Sequence, residues 1–355
     1  IWQAAYQAIR HISIFIHNVD GNKELTEAEI TDMKGQAHFL RAYFYWMLIR
    51  SFGPVPIVPD EGVDYTKEYD DIAYPRNTYD ECADYIAEEL VKAATMLDDE
   101  RDVQNIVRPT RGAALALRSR VLLYAASPLW NENGSSKYTW EKTTEITKEA
   151  LDLCLQHGFE LYSQAPDPAI AQNAYAYYFI TRSDPSRSWD RETIYETTSW
   201  RSNVWKFAGT PITNGMEKAG AGPSQELIDS YEMIDGTQPI LGYSDAEHLR
   251  PILNTASSYD PKNPYANRDP RFYASVYYNG AIRYLDQPNG DVVETYVGGN
   301  CGISDKVTDI RYTRTGYYMR KFNNFKSGIG QDADGLMRIF RLAELYLNFA
   351  EAAYQ

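Results

Sequence analysis

The chain has 355 residues, 44% of them hydrophobic and 24% charged, which is enough to bury a substantial core in one large domain or two closely packed ones and excludes a disordered segment. Its 49 acidic residues against 35 Lys and Arg give a formal net charge of -14, which argues against nucleic acid as a partner and against electrostatic attachment to anionic lipid; neutral or cationic ligands suit it better. The three cysteines, Cys82, Cys154 and Cys301, form no CxxC pair, so neither a zinc ribbon nor a disulfide framework is indicated and they read as small core residues.

The chain opens in mid-pattern, with Trp2, Tyr6, Ile9 and Ile12 at helical spacing and neither an initiating methionine nor a signal peptide. This reads as a truncated N-terminus, with room for a targeting segment upstream. Thr26 and Glu29 then form a capping box, flanked by Leu25 and Ile30 as a hydrophobic staple. The helix they start should run to Gly53-Pro54, roughly 25 residues or about 37 Å. Its apolar run from Ala42 to Ile49, bracketed by Arg41 and Arg50, is far short of the ~18 to 20 residues of a transmembrane helix. A helix that is apolar on every side belongs in the middle of a helical stack. Arg41 at the edge of that run needs a carboxylate, and Glu344 or Glu351 on another core helix are the candidates, in a structural role.

Thr78 to Glu81 is a second capping box, followed by Tyr79, Ala83, Ile86, Leu90, Ala93 and Leu97 at steps of three and four. Thr110 caps Arg111 to Ala126, whose small residues permit close helix contact and which Ser127-Pro128 ends. Trp130, just beyond, reads as a plug over the top of a helix pair. Trp140 to His157, with Gly158 as its cap, completes a helical hairpin whose length and small-residue patch are those of a degenerate tetratricopeptide-like unit.

The middle of the chain is irregular and aromatic. Asn173 to Phe179 is its densest aromatic run, Ser188-Trp189-Asp190-Arg191 follows, and Glu192 to Thr198 alternates as a strand. Trp200, Arg201, Asn203 and Trp205 then lead into a Gly-rich loop reaching Gly222. Further on, Phe272, Ala274, Val276 and Tyr278 alternate up to Asn279-Gly280, the strongest short hairpin signal present, and read as scaffold. Asp332-Ala-Asp334-Gly335 is a fragment of a calcium loop without its later ligands, so no metal is assigned. Phe340 to Leu347 re-enters a helix that stops at Gln355, as if the C-terminus were cut.

Six segments, in order along the chain, resemble one family. They are Phe39-Leu40-Arg41-Ala42-Tyr43-Phe44-Tyr45 running to Phe52-Gly53-Pro54-Val55-Pro56; Gly112 to Leu117 with Leu122-Leu123-Tyr124; Pro223 to Ile228 with Asp235-Gly236; Asn267 to Arg271; Gly316 to Lys321; and Arg341 to Glu344 with Ala350-Glu351-Ala352. Together they are similar to the SusD/RagB glycan-binding lipoproteins of Bacteroidetes, over essentially the whole chain. The resemblance implies a mostly α fold, a tetratricopeptide-like α-α superhelix carrying a loop-rich region with short β-strands. It implies a single domain over 1–355, with 1–160 as helical scaffold, 161–335 as the variable ligand-binding region and 336–355 as a return to scaffold. It also implies an outer-membrane, surface-exposed lipoprotein that works with a SusC-type TonB-dependent transporter in nutrient uptake. The lipid would sit on an N-terminal cysteine this chain does not contain, since Cys82 lies inside a helix.

The family's glycan contacts lie in variable loops, so the site is read from chemistry. Sugars present C–H faces and a hydroxyl rim, which need flat aromatic platforms edged by amide, guanidinium or carboxylate groups. The 29 Tyr and 7 Trp supply them, Tyr alone being roughly twice an average share. The lead ligand-binding candidates are Trp189, Trp200 and Trp205 with Arg201 and Asn203 at the rim; packing a loop onto the scaffold is the competing reading for each tryptophan. Tyr243, Tyr259, Tyr265 and Tyr284 are secondary candidates, against the same competing reading. No HExxH, GxSxG or Walker-type loop occurs and no carboxylate pair stands out, so binding without catalysis and without a cofactor is expected over a helical glycoside hydrolase. A RagB-like peptide receptor is the alternative, distinguished by backbone hydrogen bonding along an extended groove.

Overall fold

The computed structural model describes residues 1–59, 66, 68, 73–102, 104–131, 134, 136–164, 173–181, 190–200, 210, 219, 221–283, 291–302, 309–323 and 336–355, with backbone alone at 198–200 and 336. The fold is mostly α. Two compact units divide the chain: unit 1 comprises Ile1–Leu161, Asp184–Thr197 and Arg338–Gln355, and unit 2 comprises Tyr162–Ser183 and Thr198–Met337.

Unit 1 is a tetratricopeptide-like array of α1 (Trp2–Asn18), α2 (Glu27–Phe52), α3 (Tyr79–Met96), α4 (Arg111–Ala126) and α5 (Trp140–Gln156). Each packs on the next, and α9 (Leu342–Tyr354) packs on α5 and α4. The capping signals hold. Thr26 and Glu29 exchange both hydrogen bonds of a capping box, as do Thr78 and Glu81, and Thr110 accepts from Ala113 N at 3.3 Å. Gly53 ends α2 with φ +68, a conformation that a side chain disfavours. Trp130 stacks on Tyr79 with centroids 4.2 Å apart, against Gly53, closing that end of the α2–α3 pair as a plug.

The apolar helix α2 lies between α1 and α3, which is why Phe39, Ala42, Tyr45, Trp46, Leu48 and Ile49 are all buried. Gly35 allows the closest approach, since a Cβ there would come 2.9 Å from Met96 Cβ. Arg41 corrects the sequence reading. Its carboxylate partner is Glu89 on α3, whereas Glu344 pairs with Arg120 and Glu351 is exposed. The reason is topological, because α9 packs on α4 and α5 while Arg41 looks toward α3. Arg50, by contrast, is exposed in the last turn of α2, where a cation suits the helix dipole.

Strands β1 (Thr193–Trp200) and β6 (Leu336–Arg341) pair in a two-stranded sheet. β6 runs directly into α9, so Phe340 and Arg341 belong to the strand and the helix begins at Leu342. Phe340 and Tyr195 from the two strands join the core of unit 1, with Tyr195 edge-on to Phe39 at 5.2 Å. Cys82 and Cys154 are buried in unit 1 and Cys301 in unit 2, all as free thiols.

Unit 2 has short elements: α6 (Ala174–Tyr178), α7 (Gln225–Ser230), α8 (Pro270–Ser275), the antiparallel pair β2 (Ile240–Tyr243) and β3 (Pro251–Leu253), and the pair β4 (Val276–Tyr277) and β5 (Tyr318–Met319). The alternation from Phe272 to Tyr278 is therefore not one strand. Asp269 caps α8 and Pro270 occupies its first turn, so Phe272 and Ala274 are helical and only Val276–Tyr277 is extended. Its partner is the distant Tyr318–Met319. The Asn279-Gly280 turn does form, with Gly280 at φ +93, but it brings Ile282 opposite Val292.

Arg268 organises this unit. It is 1% exposed, and its guanidinium donates to Ile228 O at 2.6 Å, Tyr231 O at 2.7 Å and Pro264 O at 2.9 Å. Two of these carbonyls lie at the C-terminal end of α7, where Ile228 O also accepts from Tyr231 N at 3.3 Å. Burial pushes the Arg268 pKa down, and the Phe272 ring lies 5.2 Å from its charge. Hence the Asn267–Arg271 segment is a structural latch.

Candidate functional site

Of the lead candidates, Trp189, Arg201, Asn203 and Trp205 lie outside the described residues, and Trp200 is placed by its backbone alone as the last residue of β1. What is described is how β1 is anchored. The buried Asp190 carboxylate accepts from the backbone N–H of Glu192 and Thr193 and from Thr193 Oγ1, folding the chain into the strand. Arg338 on β6 donates to Asp190 at 2.8 Å and to Thr193 Oγ1 at 2.7 Å, and Arg341 donates to Glu192 at 2.8 Å. Charge-assisted bonds of this kind, with Asp190 at 0% side-chain exposure, fix the strand that leads to Trp200. At the far end of the Gly-rich segment, Ser224 caps α7 by accepting from Leu227 N.

Tyr243 is the candidate that the structure describes fully. It ends β2, and its hydroxyl donates to Asp229 Oδ2 at 2.7 Å. Gln225 Nε2 donates to the other oxygen of Asp229, Tyr317 donates to Gln225 Oε1 at 2.9 Å, and the Tyr265 and Tyr317 hydroxyls meet at 3.3 Å. The chain thus links four side chains to Tyr243 in one polar relay. Burial and the bond to Asp229 push the Tyr243 pKa up to about 12, and burial raises Tyr317 as well. The Tyr243 ring stacks on His248, centroids 4.3 Å apart and 6° from parallel. His248 is the more exposed of the two, sits at φ +57, and has Nδ1 3.5 Å from Glu226.

Tyr243 therefore has its hydroxyl and one face engaged, and the open surface of the pair is the imidazole with its carboxylate neighbour. Sequence reasoning missed His248, because a single residue in left-handed conformation leaves no periodic trace; the available hint was only that His tolerates that region better than most. It missed Asp229 and Gln225 too, although Gln225 falls inside the Pro223–Ile228 segment.

Tyr265 stacks on Phe272, lies tilted against Tyr278 and meets Tyr317 edge-on, and the Arg268 guanidinium lies over Tyr259, so both tyrosines pack within the unit. Tyr284 and the Asp332–Gly335 fragment lie outside the described residues. The Asn173–Phe179 run is α6, capped by Asn173 and with Tyr177 and Tyr178 buried. Among the described residues no group of three or more His, Cys, Asp or Glu is placed to hold a metal ion, and no helix is long and apolar enough to cross a membrane. The arrangement offers ring stacking and hydrogen bonding at neutral pH.

Comparison with known proteins places these features. Residues 1–123 match the family described as "Starch-binding associating with outer membrane" and residues 180–355 match the "SusD family". A SusD-like protein of Bacteroides ovatus is 25% identical over 169 residues, which is 47% of this chain and 29% of that protein. The crystal structure of a SusD-like protein from Bacteroides fragilis is 27% identical with a TM-score of 0.72, covering 99% of this chain and 63% of that one. A second Bacteroides fragilis structure, of a SusD-like carbohydrate binding protein, shares the fold at 22% identity and a TM-score of 0.67, covering 99% of this chain and 60% of its own. The chain thus spans less than two thirds of each of these relatives.

Proposed function

The chain belongs to the SusD/RagB family, and from that premise we propose that it is a surface-exposed outer-membrane protein that binds oligosaccharides or polysaccharides without cleaving them and passes them to a SusC-type TonB-dependent transporter. The observation that carries this reading is the pairing of two family matches across 1–123 and 180–355 with a fold shared over 99% of the chain with a SusD-like protein. The name of the second Bacteroides fragilis relative, a carbohydrate binding protein, points to the ligand class.

In this reading the helical scaffold of 1–160 and 336–355 faces the transporter, and 161–335 holds the ligand. Sugar rings stack on Trp189, Trp200 and Trp205, Arg201 and Asn203 hold hydroxyls at the rim, and the Tyr243–His248 pair adds a further flat surface. Anchoring through an N-terminal lipid outside this chain concentrates binding sites near the transporter, so modest affinity per site suffices. Affinity electrophoresis through gels containing a panel of polysaccharides, with reducing ends assayed in the same samples, tests it. Retardation without release of reducing ends supports a glycan receptor; no retardation on any polysaccharide favours a peptide ligand, and released reducing ends make it an enzyme.

A further inference from the structure

We propose that Lys321, held in an aromatic cage of unit 2, anchors a subsite for a negatively charged sugar, either a uronate or a sulfate ester. The proposal rests on the carbohydrate reading above and adds the ligand's charge to it.

The Lys321 ammonium lies 3.8 Å from the centroid of Phe179, 5.2 Å from that of Tyr175 and 5.9 Å from that of Phe322, and donates to Tyr175 Oη at 3.0 Å. An ammonium carries three N–H donors. Among the described residues that one hydroxyl is its hydrogen-bond acceptor, and no carboxylate reaches it. Several buried or half-buried cations are neutralised by a carboxylate, Arg120 by Glu344, Arg283 by Asp291 and Arg338 by Asp190, and Arg268 fills its donors with three backbone carbonyls. In a chain with 49 acidic residues, the half-buried Lys321 has, among the described residues, neither a carboxylate nor a set of carbonyls around its charge.

The cage explains how the charge is kept and what it can do. Ring faces attract a cation, and they displace water from its sides, so an anion arriving at the open donors meets it in a medium of lower dielectric than water. Phe322 takes φ +69, a strained conformation for a bulky residue, and its ring packs edge-on to Phe179 at 5.4 Å. Phe322 is half-buried, leaving ring surface for the C–H face of a sugar. The neighbouring cations do not compete for the ligand. Arg271 is held by Asp269 at 2.6 Å, and Arg320 donates to Tyr273 O and lies over Tyr277. Lys321 also falls in the Gly316–Lys321 segment that the carbohydrate reading leaves without a role. A purely structural plug requires no charge at this position, since methionine fills the same volume.

Titration calorimetry of the full chain with oligogalacturonate, with oligosaccharides of a sulfated galactan, and with neutral cello- and laminari-oligosaccharides tests this, using Lys321→Met and Lys321→Arg alongside. The expected result is that one anionic series binds at least about tenfold tighter than the neutral ones, and which series does so separates the uronate from the sulfate. Lys321→Met should lose at least about tenfold on that series and nothing on neutral sugars, with Lys321→Arg retaining most of the affinity. Anionic binding by the unaltered chain should also weaken as salt rises from about 50 to 500 mM, a readout independent of any variant's folding. Anionic and neutral series bound equally, a salt-insensitive anionic affinity, or full anionic affinity in a folded Lys321→Met protein overturns the subsite while the carbohydrate reading stands. Binding of no oligosaccharide of either kind overturns both.

Discussion

Arg41 and Glu89 meet in the interior of unit 1 with side chains 1% and 0% exposed, the guanidinium Nε donating to Glu89 Oε2 at 2.7 Å. Glu89 also receives His38 Nδ1 at 2.8 Å and Lys92 at 2.9 Å, while Arg41 reaches Ser13 on α1 at 3.1 Å. One carboxylate thus ties α2 to α3, and its guanidinium ties both to α1. Glu89→Ala removes the buried carboxylate that Arg41, His38 and Lys92 share and is expected to cost about 3 to 5 kcal/mol in urea unfolding. Arg41→Leu should cost less, because His38 Nδ1 and the Lys92 ammonium still bond to Glu89. An equal or reversed order would mean that Glu89 is not the hub.

Acid stability follows from the same carboxyl. Burial alone raises its pKa, but the hydrogen bond from His38 and the charges of Arg41 and His38 outweigh that and hold it near about 2, below the ordinary 4.5. With the folded value depressed, the stabilisation is fully present above 4.5 and is lost as pH falls toward about 2. The melting temperature should therefore be flat near neutrality and drop below pH 4.5. Glu89→Gln should have a lower melting temperature at neutral pH and a shallower acid slope. An unchanged slope in the variant would assign the acid loss to other carboxylates.

Gly35 tests how closely α2 and α3 approach. Alanine is the better helix former by about 1 kcal/mol, yet its Cβ would come 2.9 Å from Met96 Cβ, an atom fixed to the backbone of α3. Overpacking of about 1 to 3 kcal/mol should win, so Gly35→Ala is expected to lower stability. A rise in the unfolding midpoint would show that the helices separate at little cost.

Arg268 should be indispensable to unit 2. Arg268→Ala strands the part-buried carbonyls of Tyr231 and Pro264, each costing about 1 to 3 kcal/mol when unpaired, and weakens the pairing of Ile228 O, so a loss above about 2 kcal/mol is expected. Arg268→Lys should recover little, because one ammonium cannot reproduce the fork that reaches Ile228, Tyr231 and Pro264. Near-native unfolding of either variant would remove the latch.

Where signals are local, the sequence was readable. Thr26, Thr78 and Thr110 announced their helices because a cap is a contact across three residues, and Gly53-Pro54 announced a stop for the same reason. Partner choice was not readable. Glu89, Glu344 and Glu351 are equivalent carboxylates on apolar helices until the packing order of those helices is known, and β4 pairs with residues far downstream rather than across its own turn. The candidate site shows the same limit. Aromatic abundance marked Tyr243 and the tryptophans, but the relay through Asp229 and Gln225 and the stacked His248 arise from tertiary contacts that no residue spacing encodes.

The most direct test of the account is the affinity of the unaltered chain, Trp200→Ala, Trp205→Ala and the double variant for whichever polysaccharide retards the protein in gels, measured by calorimetry on folded samples. The account predicts a loss of about 1 to 3 kcal/mol in each single variant, a larger loss in the double variant, and unchanged thermal unfolding. Undiminished affinity in the double variant would contradict the platform assigned to this segment.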